Sequence, residues 1–239
     1  KAVNYLEAEN AYLDIAMSST KNFQADLFTE MKARIKEKDE SVPVFKNGYY
    51  YYSRTEDGKQ YYKYCRKKGT LDAKEEVLLD VDQMAEGHSY YSASGFDVSD
   101  DNKLLAFGVD LVSRRQYTIH VKNLVTGEIL KDAIPNTQGD PCWAADNKTV
   151  FYAVPNQALR SHKIFKHVLG STAKDELVYE EKDELFSCYV GRSKTKKVIV
   201  IGSSSFTSSE TRMISADQPN AKFVVFLPRQ KDFRILVCL

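Results

Sequence analysis

Phe96-Asp97-Val98-Ser99-Asp100-Asp101-Asn102-Lys103-Leu104-Leu105-Ala106-Phe107 reads as an apolar triplet, a polar turn and a second apolar run. The same order returns 46 residues later, as Cys142-Trp143-Ala144, a polar turn at 145–148, and Val150 to Val154. After another 46 residues come Cys188-Tyr189-Val190, a polar turn at 191–196, and Lys197 to Ile201. Each unit continues into a further β-branched or aromatic run: Gln116 to Val121, His162 to His167 and Thr211 to Ile214. Lys59 to Tyr64 supplies the counterpart in a first, less regular unit, and closing strands stand out at Glu76 to Leu79 and Glu176 to Tyr179. A sandwich or barrel, the competing all-β arrangement, carries no such long period. Several strands recurring every ~40–50 residues without a helix between them make a propeller blade. Residues 42–230 accommodate about four blades at that repeat.

Outward from the repeat, strands are expected at the tyrosine run Tyr49 to Tyr52 and wherever Asn-Gly, Asp-Gly or Thr-Gly punctuate aromatic and β-branched segments. The first forty residues differ. Phe23, Leu27, Met31 and Ile35 recur every fourth residue, the spacing of one helix face. An earlier helix is expected over Tyr5 to Met17, with Ser18-Ser19-Thr20 between the two and hydroxyls available to cap the second. The domain reading is a helical extension over 1–40 and the N-terminal part of a propeller over 41–239.

Composition narrows the function classes. The 239 residues are 43% apolar, enough for a substantial core, and 34 Lys plus Arg against 33 Asp plus Glu give a formal charge of +1. That balance supplies no electrostatic case for nucleic acid or a membrane surface. No apolar run approaches the ~20 residues of a membrane-spanning helix. The first residue is Lys1, with no signal-peptide pattern after it, so the chain reads as a processed or expressed piece of a longer protein. Cys65, Cys142, Cys188 and Cys238 are widely spaced without a metal-ligand pattern, as expected of reduced structural thiols in a cytoplasmic protein.

Particular blocks carry a resemblance. Tyr5-Leu6-Glu7-Ala8-Glu9-Asn10, Tyr52-Ser53-Arg54-Thr55, Tyr64-Cys65-Arg66-Lys67-Lys68-Gly69, Glu86-Gly87-His88, Arg115-Gln116-Tyr117-Thr118, Trp143-Ala144-Ala145-Asp146-Asn147 and residues 175–183 (DELVYEEKD) occur in the order found in oligopeptidase B. The chain therefore resembles the oligopeptidase B (protease II) branch of the prolyl oligopeptidase family. The resemblance implies a parent serine endopeptidase whose seven-bladed propeller caps an α/β-hydrolase domain and which cleaves short peptides after Arg or Lys. Its Ser, Asp and His triad would lie beyond residue 239. The text resembling the family ends near Asp232-Phe233, which sets residues 234–239 apart as altered or non-native.

The residues agree on chemistry. A nucleophile elbow needs Gly-x-Ser-x-Gly, and no such string occurs; Gly202-Ser203-Ser204-Ser205 lacks the second glycine and is expected to be a blade loop. His162 and His167, five apart on a strand, face opposite ways and are expected at the surface or in turns. His120 is expected as a hydrogen-bonded blade histidine, His88 in an inter-blade loop, residues 180–184 as a solvated connection, and Tyr49 to Tyr52 as packing. Cys142 and Cys188 are expected in separate inter-blade layers. No catalytic residue, metal ligand or cofactor is assigned. The expected role is to gate peptide access and wall an interdomain cavity, the alternative being a free-standing interaction scaffold. Exposed propeller ends and the helix stripe are expected to promote self-association.

Overall fold

The computed structural model describes residues 1–234; residues 235–239, with Cys238 and nearly all of the segment set apart above, lie outside the described residues. Helix α1 (Ala2–Ala16) runs through a single 3₁₀ turn at Ser18–Thr20 into α2 (Lys21–Ala33). Thr20 does not cap α2. Its hydroxyl donates 2.8 Å to the Met17 carbonyl and accepts from Gln24 Nε2, because its helical backbone angles turn the side chain back along the chain. No residue of either helix is buried.

Four antiparallel sheets of four strands follow among the described residues, each meandering in sequence order. The first blade holds β1 (Val44–Lys46), β2 (Tyr49–Arg54), β3 (Lys63–Lys68) and β4 (Glu75–Asp80). A short helix, α3 (Val81–Met84), capped by Asp80, leads to the second: β5 (Ser92–Val98), β6 (Leu104–Asp110), β7 (Tyr117–Asn123) and β8 (Ile129–Thr137). The third is β9 (Cys142–Trp143), β10 (Thr149–Pro155), β11 (Ser161–Val168) and β12 (Glu176–Glu180). The fourth is β13 (Ser187–Arg192), β14 (Val198–Ser204), β15 (Ser209–Ser215) and β16 (Val224–Leu227). The 46-residue period thus marks the first strand of successive blades. One strand moved: β3 begins at Lys63, since 59–62 are irregular, Gln60 and Tyr61 donating their N–H groups to Asp82. Two closing strands, β8 and β16, were not assigned from the sequence, although β16 is wholly apolar.

Each contact between neighbouring blades has its own apolar layer. Leu78, Leu79, Leu105 and Phe107 pack between the first two. Trp143, Val150, Ala106 and Val121 pack between the second and third, and Phe151, Ile164, Ile199 and Ile214 between the third and fourth. The second strands β6, β10 and β14 are therefore buried on both faces, which explains their near-continuous apolar runs. Strand β2, in the first blade, is only half-buried.

Two expectations change here. Cys142 and Cys188 share one apolar layer, because both first strands direct these side chains into the space between the third and fourth blades; both are nonetheless free thiols, as is Cys65. The open-end expectation gives way at Phe223, just before β16, which packs edge-on against Phe151 at 5.8 Å. The central strand of the fourth blade is also covered. Its exposed apolar residues sit on the first and last strands and on loops, at Tyr189, Val224, Phe226 and Phe206.

Candidate functional site at the inner turns of the blades

The turn after the first strand of every blade emerges at one end of the assembly. Asn47-Gly48 joins β1 to β2 with both residues at positive φ, the two-residue hairpin form that Asn-Gly favours. Asn102, Asn147 and Lys196 take the same left-handed conformation in the other three turns. Asparagine adopts it at little cost; lysine does not, so Lys196 is held there by its surroundings. Its N–H donates 2.8 Å to the Ser193 carbonyl, as Asn102 N–H donates 2.9 Å to Ser99. Strand β9 contacts both β5 and β13, so the first strands are the inner strands of the arc.

Asp100 ties these turns together. Arg192 grips its carboxylate with two nitrogens, at 3.1 and 2.7 Å, and Lys196 Nζ donates at 3.0 Å. Both cations come from the fourth blade. The Asp100 carbonyl accepts from Asn47 Nδ2 of the first blade at 3.1 Å, and the next residue, Asp101, donates its N–H to Asn147 of the third. One turn of the second blade thus reaches all three others. Burial alone would raise the Asp100 pKa, but the Arg192 and Lys196 hydrogen bonds outweigh it and hold the carboxyl below the usual range.

Asp97 lies one turn deeper. It accepts from Trp143 N–H at 3.0 Å through its carboxylate, and from the indole Nε1 at 3.0 Å through its carbonyl. Burial raises its pKa despite that bond and the nearby Lys46, Lys196 and Arg192. Above it opens a groove of about 760 Å³, bordered by the inner strands or turns of all four blades, including Lys46, Asp97, Asp140 and Arg192. An adjoining apolar cavity of about 360 Å³ separates the first and second blades beneath Tyr51, Tyr64 and Phe96.

Ser193, Thr195 and Cys142 supply the hydroxyls and the thiol along the groove. Ser193 spends its hydroxyl accepting from Val198 N–H and bonding Thr195. Burial pushes the Cys142 thiol far above its ordinary pKa, the opposite of what a thiolate nucleophile needs.

The residues singled out from sequence fall elsewhere. Gly202 to Ser204 is not a loop but the end of β14, paired with β13; Ser203 is buried and its hydroxyl donates to Glu181. In the run 180–184 the other four residues are exposed as expected, but Glu181 departs from it. It is buried, accepting from Tyr179 at 2.7 Å, Ser203 and Arg229, and although burial opposes ionisation these donors bring its pKa down to about 2. His167 is buried between Asp132 and Asp175 rather than at the surface, because β11 is covered by the second blade. His162 Nδ1 is buried without a hydrogen-bond partner among the described residues, and the His120 ring lies 6.0 Å from that of Phe107, with burial lowering its pKa. His88 lies in the connection to β5, beside Tyr91. Of the tyrosine run, Tyr52 is buried, its hydroxyl donating 2.5 Å to Glu75. Sequence reasoning missed the Asp100–Arg192–Lys196 strap. Superposing the repeats would have placed Asp100 and Lys196 in equivalent turns of alternate blades.

Comparison with known proteins places this architecture. The model of the prolyl oligopeptidase N-terminal β-propeller domain matches residues 1–237, which carries the family text past Phe233, where the sequence reading ended it. Dipeptidyl aminopeptidase BI of Pseudoxanthomonas mexicana is 41% identical across 95% of this chain, and Protease 2 of Moraxella lacunata 34% identical across 92%. The structure of oligopeptidase B from Leishmania major superposes with a TM-score of 0.88 at 29% identity, covering 96% of this chain and 33% of that one. The chain spans about a third of the length of these relatives, 34% and 33% for the two curated proteins. By repeat, fold and sequence, this chain belongs to the prolyl oligopeptidase family and matches its N-terminal β-propeller domain.

Proposed function

We propose that the chain is the non-catalytic, access-limiting part of an oligopeptidase B-like serine endopeptidase that hydrolyses short peptides after Arg or Lys. The propeller restricts which peptides enter and forms part of an interdomain cavity, and the rest of the protein supplies the hydrolase chemistry. The observation that carries this reading is the strap at the inner turns, where Asp100 holds Arg192 and Lys196 across the end of the arc. A mouth closed by ion pairs limits peptide size without contacting the cleaved bond. The relatives named Protease 2 and oligopeptidase B support the peptidase assignment.

The test uses the intact protein and chromogenic peptides with Arg, Lys, Pro or Ala before the cleaved bond. Arg and Lys substrates should exceed the others by at least about a hundredfold in kcat/KM. Across a length series, Asp100→Ala should raise the ratio of long-peptide to short-peptide kcat/KM. No preference for Arg or Lys would overturn the specificity, and an unchanged length ratio would overturn the gating. The 239-residue chain alone should neither turn over these peptides nor be labelled by a serine-directed phosphonate.

A further inference from the structure

The second and third blades meet at their outer strands through a buried polar cluster that the groove does not use. His167, on β11, places Nε2 3.0 Å from Asp132 Oδ1 on β8 and Nδ1 2.8 Å from Asp175 Oδ1. All three side chains are largely sealed from water, at 10%, 13% and 20% exposure. Other donors share the two acids: Gly170 N–H donates 2.6 Å to the same Asp132 oxygen, and Tyr152, on β10, donates 2.6 Å to the other oxygen of Asp175. Lys174 borders the same hollow, while the adjacent Lys166 bonds Asn220 and pairs with Glu176.

This geometry states a protonation requirement. A neutral imidazole has one N–H, so a ring nitrogen between two carboxylates would leave one lone pair facing a carboxylate oxygen. With both carboxyls ionised, both contacts are hydrogen bonds only when the ring is an imidazolium. We propose that Asp132, His167 and Asp175 form a pH-sensitive latch, closing the outer edges of the second and third blades while His167 is protonated and loosening them when it is not. Burial disfavours the charged ring, but Asp175 and Asp132 together outweigh it and the His167 pKa is raised. A raised folded pKa means the latch contributes fully below the unfolded value of about 6.5 and is lost as pH rises through the folded one. The device is therefore closed in acid and opens toward alkali. Only Asp132 comes from the second blade, so deprotonation of His167 weakens this contact between the blades and leaves Asp175 bound to Tyr152.

The test is hydrogen–deuterium exchange on the intact protein between about pH 6 and pH 9, corrected for intrinsic amide rates. Peptides covering 129–137 and 161–168 should exchange at least about threefold faster at the alkaline end, while 198–204 in β14 should not change. H167Q should abolish that difference. Independently of any variant, the His167 ring of ¹³C-histidine-labelled wild-type protein should titrate above the ordinary histidine value. A flat exchange profile, the same profile in H167Q, or a His167 titration at or below about 6.5 would each overturn the latch.

Discussion

The two N-terminal helices and the blades carry apolar residues at comparable density and dispose of them in opposite ways. In α2, Phe23, Phe28 and Met31 are 66%, 68% and 59% exposed, whereas Trp143, Phe107 and Phe151 in the blades are fully covered. The helical period is as regular as the strand pattern. The difference lies in partners: a blade presents each face to a neighbour of the same construction, while the helix stripe meets nothing comparable among the described residues. An apolar pattern therefore specifies which face seeks burial, and the neighbouring element decides whether burial follows.

The sharpest test sets a blade residue against a helix residue. Trp143→Ala empties a site at the joint of two blades and strands the Asp97 carbonyl, so it should cost about 3–5 kcal/mol in denaturant unfolding. Leu27→Asp, on the helix stripe, should move the midpoint by no more than about 0.5 kcal/mol. Equal losses would show that the helices are part of the cooperative unit.

Next in size is the polar counterpart of the blade core. Glu181 joins the end of the third blade to Ser203 and Arg229 of the fourth, and Glu181→Ala should cost about 3 kcal/mol by leaving Arg229 without its buried partner. The sign of its pH dependence follows from its depressed folded pKa of about 2. Its contribution is present above the unfolded value and lost as pH falls from about 4.5 toward that folded value. Acid unfolding of Glu181→Gln should therefore be shallower than that of the wild type over this window. Parallel curves would mean that the carboxylate charge does not matter at the joint.

Cysteine reactivity gives a smaller, purely local reading of blade burial. Cys65 and Cys188 are buried, and burial raises their thiol pKa to about 11 and about 12. With Cys142 they should resist a thiol reagent in the native protein at pH 8, and all three should react after unfolding without reductant. Fast native labelling of Cys142 or Cys188 would show that the joint between the third and fourth blades opens readily. The smallest effect is expected from the helices: Leu27→Asp should reduce concentration-dependent light scattering of the isolated chain without altering its fold. Scattering that persists unchanged would assign any association to the exposed blade edges around Phe206, Val224 and Phe226 instead.

Much of the architecture was legible because a propeller repeats itself. Phe96-Asp97-Val98 and its two echoes gave the blade period, and that period depends only on each unit packing against a copy of itself. The free state of Cys65, Cys142 and Cys188 was legible too. What escaped was whatever depends on residues far apart in the chain. Gly202-Ser203-Ser204 looked like loop because its residues are small and polar, yet Ser203 can occupy a strand since Glu181, 22 residues away, accepts its hydroxyl. The acidic stretch 180–184 is solvated as it looked, except at Glu181, which is buried because Arg229 pairs with it from 48 residues away. Asp100 and Arg192 are 92 apart. Sequence by itself thus determined the blade repeat, the blade count and the family, all of which follow from local periodicity and short motifs. Only the tertiary structure decided which charges are buried and paired. The free energy of a charge depends on what surrounds it in space, and the ring-wise stacking of blades brings together groups that no local pattern connects.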